Sequence, residues 1–158
     1  MEKTLIIFKP DAVQRGLVGR ILSAFEDKGL KIAGMKMELL QKEKLETHYA
    51  HHRDKPFFAE LLEFMSSAPC VLAILEGIDA VAVVRKMAGS TNGRKAEPGT
   101  IRGSFSMSNQ NNLVHASESR EIAKKEIELF FAPGEIPEYD ASRRSVYSPS
   151  ESKSGALP

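Results

Sequence analysis

Thr4-Leu5-Ile6-Ile7-Phe8-Lys9-Pro10-Asp11 is the stretch from which the rest of the chain is read. Its first five residues are apolar or β-branched, the composition of a buried strand, and Lys9-Pro10-Asp11 ends the run as a turn. A charged side chain therefore leaves the sheet at its end. Downstream, Val18, Ile21, Leu22 and Phe25 recur at helical spacing with Gly29 as a stop, which predicts a helix over Leu17–Lys28. Leu30, Ile32, Met35, Met37, Leu39 and Leu40 predict a second strand with an irregularity at Gly34. Two short helices follow over Lys42–His52 and Pro56–Met65, with Pro56 in a first turn and Pro69 beyond the end. Cys70–Leu75 reads as a third strand, Ile78–Met87 as a helix, and Ala88–Phe105, with four glycines and Pro98, as a long loop of the kind that carries function. Asn112–His115 is a short fourth strand. Ser119–Phe131 is a last helix with Ile122, Ala123, Ile127 and Phe130 on one face. Strands interleaved with helices predict an α/β (α+β) fold: a ferredoxin-like, four-stranded antiparallel sheet of split βαβ type with helices packed on it.

The chain has 158 residues, which suits one domain over residues 1–147 followed by a polar, Ser-rich end at 148–158 expected to be disordered. A hydrophobic content of 42% excludes a largely disordered chain. The apolar runs are far shorter than the roughly 20 residues a membrane span needs, and the N-terminus lacks the apolar region of a secretory signal. A cytoplasmic protein is expected. The single cysteine, Cys70, heads an apolar run and reads as a buried, inert thiol. With 22 basic and 21 acidic residues there is no global field for nucleic acid or an anionic membrane. Neither is expected as a partner, and anion binding must be local.

Phosphate loops of the G-x-x-x-x-G-K-[ST] and G-x-G-x-x-G types, the G-x-S-x-G elbow and paired cysteines are all absent. Four histidines remain. His48 and His52 stand four apart, a spacing that can bind metal, but no further ligand is evident and a solvated helix face is the expected setting. His115 ends an apolar strand just before Ser117-Glu118-Ser119 opens a helix, a context shared by structural and catalytic histidines. Glu126, four after Ile122 and four before Phe130, falls on the core-facing stripe of that helix. A carboxylate there needs a partner, and an imidazole N–H would fix the ring's tautomer and leave its other nitrogen free to attack. The alternative is a glutamate at the stripe's edge reaching water or a lysine. Lys9, Arg85 and Arg102, with the hydroxyl of Thr91, are phosphate-binding candidates because they stand where loops begin or turn.

Taken together these residues resemble the nucleoside diphosphate kinase family. Asn112-Leu113-Val114-His115-Ala116-Ser117-Glu118-Ser119 is similar to its active-site signature N-x-x-H-G-S-D-S, with Ala for Gly and Glu for Asp. Thr4–Val13 resembles its opening strand and K-P-D turn. His48-Tyr49, Pro56-Phe57-Phe58, Val84-Arg85 with Gly89, Thr91-Asn92 and Pro98-Gly99-Thr100-Ile101-Arg102-Gly103 follow in the family's order. The resemblance implies reversible transfer of the terminal phosphoryl group of ATP or another nucleoside triphosphate to a nucleoside diphosphate, with ping-pong kinetics. It makes His115 the nucleophile that becomes a pros-phosphohistidine, oriented by Glu126 and Ser117. Lys9, Tyr49, Arg85, Thr91 and Arg102 would surround the phosphates, Asn112 and Lys9 would meet the ribose, and Phe57 would stack on the base. His52, Leu61 and Asn109 would be peripheral. Mg2+ would be carried by the nucleotide rather than by protein ligands, and the protein would be a homo-oligomer, hexameric or tetrameric.

Three departures from the family pattern set further expectations. Ala116 in place of glycine would crowd or strain the backbone beside the nucleophile. Ser104 in place of aspartate would weaken the anchoring of the Arg102 loop. Gly93 in place of proline would loosen the loop it sits in. The alternative they suggest is a nucleotide-binding regulatory homologue with reduced turnover.

Overall fold

In the computed structural model, which describes residues 1–139, 146–148, 150 and 151, four strands form one antiparallel sheet. They are β1 (Glu2–Phe8), β2 (Lys31–Glu38), β3 (Cys70–Gly77) and β4 (Val114–Ala116), in the order β2-β3-β1-β4. The helices are α1 (Pro10–Gln14), α2 (Val18–Asp27), α3 (Lys42–His48), α4 (Phe58–Ser66), α5 (Ala80–Ala88), α6 (Ile101–Phe105) and α7 (Arg120–Phe130). This is the ferredoxin-like α+β sheet the alternation predicts, and the register shifts between Ile32 and Gly34 where an irregularity was expected.

All of Thr4–Phe8 is buried, and the reason is the period-two geometry of a strand. Ile6 and Phe8 pack on one face with Phe25 of α2 and Val84 of α5. Leu5 and Ile7 pack on the other with Leu45 of α3, Met65 of α4 and Phe130 of α7. A strand apolar on both parities needs cover on both faces, and each such side chain taken from water contributes about 1.5–3 kcal/mol. Cys70 is buried, with its thiol directed at the Met65 carbonyl oxygen 3.8 Å away, and burial pushes its pKa up to about 12. It is the inert thiol expected.

Several local expectations need correction. Lys9-Pro10-Asp11 is not a simple turn: Pro10 starts α1, where a missing N–H is no loss. Pro56 lies before α4 rather than in its first turn, inside a turn closed by the Phe58 N–H donating to the Lys55 carbonyl at 3.1 Å. The Lys42–His52 helix stops at His48 and continues as a 3₁₀ turn over Ala50–His52. Ala88–Phe105 is not structureless: it holds a 3₁₀ turn, Gly93–Lys95, capped by Asn92, and α6, capped by the Thr100 hydroxyl accepting from the Gly103 N–H at 3.1 Å. The disordered end expected at 148–158 lies for the most part outside the described residues.

Gly93 also departs from expectation, for it is buried and tightly held rather than loose. Its N–H donates to the Ser108 carbonyl at 2.9 Å, and a Cβ at this position would come within 2.4 Å of the Ser106 carbonyl oxygen. Both facts exclude proline. Gly93→Pro, the family's usual residue, is therefore expected to lower stability by more than about 1 kcal/mol. The check is the urea midpoint at constant slope, and an equal or higher midpoint would contradict this packing.

Candidate active site

A cleft of about 480 Å³ opens where the end of β1, the start of β4 and the last turn of α5 meet. It is lined by Lys9, Tyr49, Phe57, Arg85, Thr91, Arg102, Asn112 and His115, and also by His52, Leu61 and Asn109. Glu126 and Ser117 stand behind it, buried beneath His115. Every residue to which the family resemblance gives a role in the reaction or in nucleotide binding is thus brought to one place.

The centre is a chain of hydrogen bonds. Ser117 follows β4 and extends the ladder to β1: its hydroxyl accepts from the Leu5 N–H at 3.2 Å and donates to Glu126 Oε2 at 2.5 Å. Glu126 Oε1 lies 2.8 Å from His115 Nε2. A carboxylate only accepts, so Nε2 carries the ring proton and Nδ1 keeps its lone pair. α7 places Glu126 there because Ala123 and Phe130 bury the same face, and Ser119 caps the helix by accepting from the Ile122 N–H at 3.2 Å.

His48 is the residue the sequence reading misplaced. Far from a solvated face, its side chain is 1% exposed, with its ring 4.5 Å from that of His115, 4.4 Å from Tyr49 and 5.2 Å from Phe130. Burial, then the neighbouring His115, holds its pKa well below the usual histidine value, so its 3.5 Å approach to Glu126 is not an ion pair. The signal was Leu45, three residues earlier and also buried, rather than His52, which the 3₁₀ turn carries onto another face.

The cations converge from three elements. Lys9 is buried, and its Nζ donates to Asn112 Oδ1 at 2.7 Å and to the Gln110 carbonyl at 3.2 Å. Burial, then the charge on Arg102, brings its pKa down to about 8. Asn112 Nδ2 in turn donates to the carbonyls of Thr91 and Asn109, at 2.8 and 2.9 Å. Arg102 donates through Nη1 to Gly89, Nη2 to Val114 and Nε to Asn112, at 2.7, 2.7 and 3.3 Å. Those carbonyls anchor it, so Ser104 does not leave its loop adrift. Gly89, at φ +81°, allows this close approach: a Cβ there would lie 2.4 Å from Thr100 Oγ1. Arg85 is exposed at the last turn of α5. Phe57 is 41% exposed at the rim, placed for stacking, while the Tyr49 hydroxyl is buried with no partner among the described residues. Burial raises that phenol's pKa.

Ala116 is not strained. It lies extended in β4, and the positive-φ position falls instead on Leu113, at φ +73°. There the Val114 N–H donates to the Asn112 carbonyl at 2.9 Å, a γ-turn of the rare, strained hand. Such a residue costs of order 1–3 kcal/mol and persists only when its surroundings hold it. Asp11 does so: its Oδ2 accepts from the Leu113 N–H at 3.1 Å, and the Lys9 N–H donates to the Leu113 carbonyl at 2.8 Å. Burial raises the pKa of Asp11, whose Oδ1 has no hydrogen-bond partner among the described residues. Because Asn112 and His115 flank the turn, Asp11 helps place both, a role the sequence reading did not give it.

A buried carboxylate–imidazole pair on a ferredoxin-like sheet, facing convergent cations, defines a class of phosphotransferase. The comparisons name the family. The sequence model of the nucleoside diphosphate kinases matches residues 2–136. The nucleoside diphosphate kinase of Parabacteroides distasonis is 55% identical over 140 residues, 89% of this chain and 92% of that one. That of Pyrococcus abyssi is 54% identical, covering 92% of this chain and 94% of its own. The halophilic nucleoside diphosphate kinase of Halobacterium salinarum, solved in complex with CDP, superposes with a TM-score of 0.91 at 41% identity, over 93% of this chain and 99% of that one. The chain belongs to the nucleoside diphosphate kinase family. It is an enzyme of that class, a kinase acting on nucleotides, and a divalent metal is part of the family's catalysis.

Substitutions at two positions test how the site is held. Asp11→Ala leaves the Leu113 N–H buried and unpaired, so stability should fall by about 1–3 kcal/mol and turnover with it. Asp11→Asn, which keeps an acceptor, should recover most of both, as melting and steady-state assays would show. Ala116→Gly should cost about 0.5–1 kcal/mol by freeing the unfolded chain, with no rise in turnover. A faster enzyme would mean that the alanine obstructs the site after all.

Proposed function

We propose that the chain moves the terminal phosphoryl group of a nucleoside triphosphate to a nucleoside diphosphate in two half-reactions through His115. The observation that carries this reading is the 2.8 Å contact of His115 Nε2 with Glu126, which leaves Nδ1 as the nucleophile of a ring that also lines the cleft. The Nδ1 lone pair forms a bond to the γ-phosphorus as the bond from phosphorus to the bridging oxygen breaks, and the diphosphate leaves with that electron pair. A second diphosphate reverses the step. The positive charge that the ring gains is stabilised by Glu126 through the Nε2–H. One pocket serves donor and acceptor in turn, hence ping-pong kinetics.

Lys9, Arg85 and Arg102 supply fixed positive charge where the equatorial oxygens of the transferring group spread theirs. Arg102 uses three of its five N–H donors on backbone carbonyls, which leaves the rest for phosphate. The orphaned Tyr49 hydroxyl is a donor for the same group, the Lys9–Asn112 pair meets the ribose, and Thr91 adds a hydroxyl. Phe57 stacks on the base, a contact that discriminates weakly between bases. Magnesium suits the pocket as a passenger: Glu118 is the one carboxylate among the lining residues, so phosphate oxygens and water would coordinate the ion. When bound it neutralises phosphate charge.

The features that favoured an inactive regulator lose their force here, since Ala116 is unstrained, Arg102 is anchored and Gly93 is packed. A homo-oligomer, hexameric or tetrameric, is supported by the sheet edge at β2, where Met35, Met37 and Leu39 are each at least half exposed. No helix among the described residues is long and apolar enough to cross a membrane, and a cytoplasmic setting is compatible with a chain whose single cysteine, Cys70, is buried and unpaired.

Incubation with γ-labelled ATP should yield an acid-labile phosphoprotein that any nucleoside diphosphate discharges, with none in His115→Ala. Folded protein that takes up no label would refute the proposal. Lys9 is charged below its pKa of about 8 and neutral above it, so kcat/KM for the nucleotide should fall as pH rises through that value. Lys9→Arg, whose guanidinium stays charged, should lose that limb of the profile.

A further inference from the structure

Phosphoryl transfer leaves His48 without a task. Its ring nitrogens are buried and have no hydrogen-bond partner among the described residues, although Nδ1 faces Glu126 Oε1 at 3.5 Å. The same oxygen is 2.8 Å from His115 Nε2, and one ligand atom from each of these three residues lies within 4.8 Å of the others. Among the described residues this is the one group of three or more histidine, cysteine or acidic side chains placed closely enough to share an ion. Two imidazoles and a carboxylate are the donors of zinc and its neighbours, whereas magnesium takes oxygens. Ligands held about 2.0–2.2 Å from a tetrahedral ion stand roughly 3.3 Å apart, between the two contacts observed. The third pair, His48 and His115, is held within 4.8 Å, so rotation of the two rings toward each other by up to about 1.5 Å would close the site, with water in the fourth position.

We propose that His48, His115 and Glu126 form a binding site for a divalent transition-metal ion of the zinc type, and that its occupation switches phosphoryl transfer off. The switch, though not the binding, rests on His115 being the phosphoryl carrier. In the free site the His115 ring holds its proton on Nε2. A metal ion takes the Nε2 lone pair, so the neutral ring carries its one proton on Nδ1 instead, and the nitrogen that attacks phosphorus has no lone pair to offer. His48 coordinates through Nδ1 and keeps its proton on Nε2. No electron is exchanged, and ion and phosphoryl group exclude one another on the same ring.

The test uses Co2+ alone, titrated into the full chain. One ion per chain with the intense visible absorption of a low-coordinate site is expected, displaced by Zn2+. His48→Phe should weaken binding by at least about tenfold. The double variant His51→Ala/His52→Ala should keep it, which matters because those two rings lie 4.0 Å apart nearer the surface. Cobalt affinity unchanged in His48→Phe, or lost with the His51 and His52 pair, overturns the site. Should His48→Phe not fold, X-ray absorption of the zinc-loaded unaltered protein decides, since two imidazoles and one carboxylate are required. With Mg2+ supplied alongside γ-labelled ATP in both arms, zinc-loaded protein freed of excess zinc should label at least about tenfold more slowly than zinc-free protein. Equal labelling removes the switch. If neither form labels, the kinase reading fails while the cobalt spectrum still answers for the site.

Discussion

One buried carboxylate organises this protein. Glu126 sits on the inward face of α7, where water cannot solvate it, and the free energy of keeping it there is recovered only through donors. His115 and Ser117 are those donors, at 2.8 and 2.5 Å. The consequences run in both directions. Toward the core, Ser117 also accepts from the Leu5 N–H, which ties the carboxylate to the central strand. Toward the cleft, the contact fixes which nitrogen of His115 bears the proton, so in the proposed reaction the attacking nitrogen is oriented before any nucleotide arrives.

Around that pair the structure holds strain and charge in opposition. Leu113 turns the chain through a positive φ immediately before β4, and Asp11 of α1 and the backbone N–H of Lys9, between β1 and α1, grip its peptide. Lys9 is desolvated against Arg102, an arrangement unfavourable by itself and relieved by an anion. The protein thus carries a buried lysine beside a half-buried arginine, and a Tyr49 hydroxyl with no partner among the described residues, groups that the proposed phosphate binding would satisfy. The substitutions that set this chain apart from its family's usual pattern fit within the arrangement, because each finds its backbone already held by other groups.

The identity of the neighbours also sets what else can happen at the site. Glu126 has two oxygens: Oε2 is committed to Ser117, and Oε1 faces two imidazoles. Geometry that orients a nucleophile with one imidazole becomes a ligand set with two. In the proposed metal site, the same atom that orients His115 also helps to withdraw it.

Sequence alone determined the sheet, the main helices and most of the cleft. Periodicity is a local property: the double-parity run at Thr4–Phe8, the stripe on α7 and the glycine after α2 all report burial through nearest neighbours in the chain. Glu126 was legible because its position on that stripe conflicts with its charge. The tertiary structure decided what depends on residues distant in the chain. The four-residue spacing of His48 and His52 points to a shared solvated face, and only the 3₁₀ turn after Tyr49 separates them. Asp11 was invisible as a clamp because the strained peptide it holds lies 102 residues away. Gly93 was read as loose because its contacts with Ser106 and Ser108 form only when the loop folds back. Backbone conformation and long-range hydrogen bonds leave no period in the sequence, since each is fixed by groups that meet only when the sheet is complete.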